Sequence, residues 1–170
     1  MERRFKFFRC LAYTIEILIF YILQQAPGLP RLLGARPVLL IGVVLTIALL
    51  EDEKMGMGFG LFAGLLMDIG SSGNALGLHA ILMAVLGYFV GLLAVNLIRT
   101  NLLTAMLVTA LGVFIVLSLN FVFFYLAHRY GDYAYVYQYH YLPIMLYSYL
   151  STPVLYFFNK AFAVTIRERD

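Results

Sequence analysis

Gly56, Gly60, Gly64 and Asp68 recur at four-residue steps inside the apolar run MGMGFGLFAGLLMDIG. On a helix, steps of four stay on one slowly drifting face. Three glycines on that face make a groove that admits a second backbone at close range. Asp68 closes the groove with a carboxylate, and an acid at or near membrane depth is costly and rarely idle. The following apolar stretch carries a matching stripe, Ala80, Ala84, Gly87, Gly91 and Ala94, with a second G-x-x-x-G at Gly87 and Gly91. Two such stripes predict close helix packing, either against each other or against a partner protein.

The solvent follows from composition. Of 170 residues, 63% are hydrophobic and 12% charged, and mean hydropathy is +0.89. Soluble domains carry about 25% charged residues. So much apolar surface has to face lipid, which predicts an all-α, polytopic membrane protein forming a single unit over residues 1–170. The net charge of +3 does not point to nucleic acid, because the basic residues cluster at segment ends. Cys10 is the only cysteine, which excludes an intrachain disulfide and a cysteine-based metal site. The basic start MERRFKFFRC is followed by an apolar run interrupted by Glu16 and lacking an A-x-A cleavage pattern, so it reads as a retained first helix.

Six spans are predicted, at about 7–25, 37–50, 55–69, 76–98, 102–127 and 142–164. The second and third reach only about 22 Å, against a hydrocarbon core of about 30 Å. Either their helices run beyond the apolar stretch, which is the preferred reading, or the pair is a partly inserted hairpin shielded by other helices. The fifth reaches about 39 Å and should tilt or project. With the N-terminus inside, Arg3, Arg4, Lys6, Arg9, Lys54, Arg99, Lys160, Arg167 and Arg169 lie on the cytoplasmic side, and Arg31, Arg36 and Arg129 outside. That asymmetry predicts cytoplasmic termini, with the EDEK turn at 51–54 inside and the SSGN turn at 71–74 outside.

Few side chains invite chemistry. Asp68 is expected to cap the turn that follows it, to pair with an outer arginine, or to anchor a partner. Glu16 lies near the middle of its span, where an acid costs about 2.5–3.5 kcal/mol on insertion scales. It should face the bundle and bond to Tyr13, Asn120 or another polar side chain. Residues 125–149 hold nine of the thirteen tyrosines, and Tyr133, Tyr135, Tyr137, Tyr139 and Tyr141 alternate strictly. Period two predicts an extended strand, placed as an interfacial aromatic belt or as a docking surface. His79, His128 and His140 lack zinc spacing. No P-loop and no Ser/His/Asp set occurs, and Gly58 with Gly60 makes no dinucleotide fingerprint inside an apolar helix. No enzyme, cofactor or metal is expected.

The stretch GLFAGLLMDIGSSGNALGLHAI, residues 60–81, resembles the signature of the rod shape-determining protein MreD family, through Gly60, Gly64, Leu65, Asp68, Leu76, Gly77 and Ala80. GYFVGLL at 87–93 continues in the same style, with Arg99 and Asn101 after it. The resemblance implies a non-enzymatic scaffold or regulator of cell-wall elongation in the bacterial cytoplasmic membrane. It implies binding to the bitopic protein MreC, in a machine with the actin-like MreB, the glycosyltransferase RodA and a penicillin-binding transpeptidase. It also implies a fold similar to the six-helix substrate-binding component of energy-coupling-factor vitamin transporters. Such a component is the alternative reading. The first span lacks an A-x-x-x-A stripe for a transporter partner, which favours the scaffold.

Overall fold

The computed structural model describes residues 2–26, 36–70, 77–96, 100–126 and 132–167. All regular structure among them is helical: α1 Glu2–Gln25, α2 Leu39–Leu50, α3 Glu53–Gly70, α4 Leu78–Asn96, α5 Leu102–Phe121 with wider π-type turns over Val122–Leu126, the short α6 Tyr133–Val136, a second π segment Tyr137–Tyr141, and α7 Leu142–Arg167. The Pro27–Pro30 turn with Arg31, the SSGN turn, Leu76, Arg99, His128 and Arg129 lie outside the described residues, as does the end of the tail with Arg169.

Three stretches, Phe7–Gln25, Leu78–Asn96 and Leu102–Phe124, are long and apolar enough to cross a membrane. Their outer faces expose residues that a water-soluble protein would bury, such as Ile15 and Ile22 on α1, Ile81 and Phe89 on α4, and Leu103, Leu107 and Leu111 on α5. Such continuous apolar faces suit lipid. The protein is therefore a membrane protein, and its six longer helices fit the six candidate spans. At 18 residues, α3 begins before the apolar run and ends after it, reaching about 27 Å.

The second helix departs from the expected length. It has 12 residues, about 18 Å, too short to cross about 30 Å of hydrocarbon alone. It packs against α1, α3, α4, α5 and α7, and Leu39 through Leu49 are all buried. A helix apolar on every side is a helix with neighbours on every side. Its length is thus set by the bundle around it. Its first amide hydrogens, orphaned in any helix, are taken by neighbours. Val38 N donates to Ser148 Oγ of α7 at 2.8 Å, and Leu40 N to Gln24 Oε1 of α1 at 3.2 Å. At its other end, Glu51 accepts from Tyr13 Oη at 3.0 Å and pairs with Arg9 at 3.3 Å.

The tyrosine run is a correction. Tyr133–Tyr141 is helical and then π-helical, with no strand. A lone strand at a membrane surface leaves a row of amide and carbonyl groups unpaired, whereas helical winding satisfies them within the segment. The alternation survives as two i, i+4 stacks. Tyr135 and Tyr139 meet with ring centroids 4.6 Å apart, and both are exposed. Tyr137 and Tyr141 stack at 6.3 Å, with Phe121 packed edge-on to both.

Candidate functional site

The glycine ladder of α3 is filled by α4. A Cβ at Gly56 would lie 2.4 Å from Gly87 O, one at Gly60 2.3 Å from Met83 O, and one at Gly64 2.5 Å from Ala80 Cα. In return, Gly87 faces Gly56 O, and a Cβ at Gly91 would lie 2.6 Å from Glu53 Cα. Backbone touches backbone along the whole seam, so any side chain beyond hydrogen separates the helices. The two small-residue faces, offered by sequence either to each other or to a partner, meet each other here. Gly58 points elsewhere and has nothing within 4 Å.

Asp68 ends the seam and is buried. Its Oδ2 accepts from Gly77 N at 2.9 Å and Ala80 N at 3.2 Å, and its Oδ1 from His79 N at 3.2 Å. These are amide hydrogens at the start of α4, which a side-chain oxygen is suited to cap, and a negative charge there suits the helix dipole. The capped amides belong to Gly77 and to the first turn of α4. Gly77 takes φ +102° at the helix entrance, a left-handed value that glycine adopts without steric cost.

From Asp68 a chain of bonds crosses the bundle. His79 Nδ1 lies 2.8 Å from Asp68 Oδ1, and His79 Nε2 lies 2.7 Å from Asn120 Nδ2 of α5. Tyr141 Oη donates to Asn120 Oδ1 at 3.5 Å. Because a carboxylate only accepts and Asn Nδ2 only donates, the directions are fixed. His79 carries its proton on Nδ1, from which it donates a hydrogen bond to Asp68, and it accepts from Asn120 on Nε2. Asn120 therefore holds His79 and Tyr141. Of the partners that the sequence left open for Glu16, Asn120 is taken up by this relay at one end of the bundle.

Glu16 does face the bundle interior, and its partner is Asn159 of α7. With the amide oriented to satisfy both neighbours, Asn159 donates to both carboxylate oxygens of Glu16, at 2.6 Å to Oε2, and accepts from Thr46 Oγ1 at 2.5 Å. Glu16, Thr46 and Asn159 are all buried. The triad ties α1, α2 and α7 together in the middle of the apolar core. Sequence reading missed His79, Thr46 and Asn159 as partners. The available signal was a lone polar residue in an otherwise apolar run.

Beside the relay, a cleft of about 310 Å³ opens between the ends of α1, α3 and α5 and the start of α7. Gln24, Gln25, His79, Asn120, His140 and Tyr141 supply its polar lining. No group of three or more His, Cys, Asp or Glu suited to a metal occurs among the described residues.

A family model described as rod shape-determining protein MreD matches residues 2–165. The chain belongs to the MreD family. Membership gives this membrane protein a role in determining rod shape, and it places the 60–81 motif inside a match running nearly the full length of the chain. Neither a curated protein nor a solved structure matches this MreD-family chain. The implied likeness to the vitamin-transporter component therefore stands without a structural match.

Proposed function

We propose that this protein is a non-enzymatic scaffold of the cell-wall elongation machinery, acting as one unit over residues 1–170. In this reading it binds a bitopic MreC-like protein, in company with MreB, RodA and a penicillin-binding transpeptidase. The observation that carries the reading is the family match over residues 2–165. The use made of the buried acids supports it. Asp68 caps α4 and Glu16 joins three helices, so both act as structural ties. The seam residues Gly56, Gly60, Gly64, Asp68, Gly77, Gly87 and Gly91 then serve the scaffold by fixing α3 and α4 as a rigid pair, whose outer faces meet lipid and partner. By the distribution of Lys and Arg, both termini and the end carrying Lys54 and Lys160 face the cytoplasm, and the cleft end faces out.

Depleting the protein in a rod-shaped host should round or swell the cells, and affinity purification of the full chain should recover the MreC-like protein. Recovery of a pair of ATPases with a tightly held vitamin would instead establish the transporter reading.

A further inference from the structure

Helices α1 and α3 run parallel, and three contacts fix their register. Cys10 Sγ lies 3.8 Å from Met55 Sδ, the rings of Tyr13 and Phe59 meet edge-on at 5.7 Å, and a Cβ at Gly70 would lie 3.0 Å from Tyr21 Oη. Beside this line of contact the helices leave a slot of about 260 Å³, lined by Thr14, Lys54, Met55, Gly58, Phe59 and Phe62. Lys54, Gly58 and Phe62 are steps of four and share one face of α3. Gly58 makes the opening. The glycines of the seam are filled by α4, but a Cβ at Gly58 meets nothing within 4 Å. The Thr14 hydroxyl in the wall donates to Cys10 O at 2.8 Å, so it is spent within its own helix.

The charge stands at one end. Lys54 is exposed and belongs to the first turn of α3, where the parallel register also brings the start of α1. The carboxylates next to it in sequence are placed elsewhere. Glu51 is buried and bonded to Tyr13 and Arg9, Asp52 lines a separate cleft together with Lys160, and the backbone of Glu53 rests against Gly91 of α4. From Glu2 to Cys10, α1 rises about 12 Å. Its first turns, which carry Arg3, Arg4 and Lys6, therefore extend beyond the slot at the Lys54 end. The slot is thus an apolar channel whose mouth lies on the basic side of the bundle.

Size and charge together select the occupant. A single turn of a helix about 10–12 Å across fills roughly 400–600 Å³, more than the slot holds. A hydrocarbon chain lying along Gly58 needs far less width and meets apolar walls. A phosphate at its polar end meets a lysine, and basic side chains between helices on the cytoplasmic side are suited to anionic headgroups. We propose that the α1–α3 slot binds one anionic phospholipid of the cytoplasmic leaflet, with an acyl chain beside Gly58 and the phosphate at Lys54. The proposal goes beyond the scaffold function and rests on that reading only for the leaflet that supplies the lipid.

The test uses the full chain in detergent, titrated with palmitoyl-oleoyl phosphatidylglycerol or with the phosphatidylcholine of the same chains, and read by native mass spectrometry. Phosphatidylglycerol should bind saturably, one per chain, and about tenfold more tightly than phosphatidylcholine, the difference expected of one charged contact. Gly58→Leu fills the slot and should weaken both lipids by about tenfold or more. Lys54→Gln should weaken phosphatidylglycerol by about tenfold and narrow the preference. Leu107→Ala, on the outer face of α5, should change neither. Lys54 is exposed, so its variant retains the fold even if the leucine variant does not. Equal binding of the two lipids by the wild type, undiminished phosphatidylglycerol binding by Lys54→Gln, or wild-type binding by Gly58→Leu overturns the proposal. A Gly58→Leu chain that keeps the lipid and loses the MreC-like protein overturns it in favour of a seat for a partner's side chain. Because the lipid assay uses isolated protein, its failure leaves the partner-recovery result untouched.

Discussion

The carboxylate at position 68 meets three amide hydrogens and an imidazole nitrogen, all within 3.2 Å. Both oxygens are used, so an amide cannot replace the acid. Asp68→Asn keeps the shape but turns an NH₂ group toward hydrogens that need an acceptor. Leaving buried donors unmatched costs about 1–3 kcal/mol, so Asn at this position should lower thermal stability in detergent by that order. An unchanged melting curve would show that the cap is dispensable. If the fold holds while recovery of the MreC-like partner drops, Asp68 anchors the partner as well. The central triad gives a sharper contrast. Asn159→Leu strips Glu16 of its buried donor and should be strongly destabilising. Glu16→Gln keeps a group able to bond the amide and should be milder. The double Glu16→Leu, Asn159→Leu variant should recover much of the single-variant loss, because removing both buried polar partners is cheaper than orphaning one. Additive losses in the double variant would show that the two side chains are not coupled. Sequence drew attention to Glu16 and Asp68 because charge stands out in an apolar run. It did not reveal their partners, since Asn159 and Thr46 lie on separate helices and only packing brings them together.

Among the elements, the α3–α4 pair was the most legible, because glycine spacing is a direct statement about how close a neighbouring backbone can come. It yields a prediction with opposite signs two residues apart. Gly60→Ala places a Cβ 2.3 Å from Met83 O, which forces the helices apart and should cost about 1–3 kcal/mol or more. Gly58→Ala meets nothing within 4 Å and removes a helix-interior glycine, whose propensity deficit against alanine is about 0.8–1.0 kcal/mol. It should be neutral or stabilising. Equal melting temperatures for the two variants would remove the seam from the account. Other elements were read less well. The length of α2 was hidden because a buried helix and a lipid-facing one are apolar alike, and only contact with five neighbours separates them. The alternation of Tyr133 through Tyr141 fits a strand by period alone. A period of two also places every second residue in i, i+4 pairs, and in a single interfacial segment the helical choice satisfies the backbone.

For the whole molecule, composition sufficed to put the chain in lipid, and segment count sufficed for a bundle of six longer helices. The direction in which the bundle faces is a separate matter, carried by lysine and arginine placement. In a background with Cys10 replaced by alanine, Tyr135→Cys should react with a membrane-impermeant thiol reagent added to intact spheroplasts. Asp52→Cys should react only after permeabilisation. The reverse pattern would invert the orientation, and with it the side on which the cleft opens. The enclosure of α2 also bears on how the chain is made. This helix leaves the ribosome second, yet the residues that complete its surroundings leave last. Ser148, which takes the amide hydrogen of Val38, is 110 residues further on, and Asn159 is 113 residues beyond Thr46. Until α7 is synthesised, a helix too short to span the bilayer has to wait there with the Val38 amide unmatched, beside a glutamate whose donor does not yet exist. A nascent chain stalled before residue 142 is therefore missing one wall of its own interior.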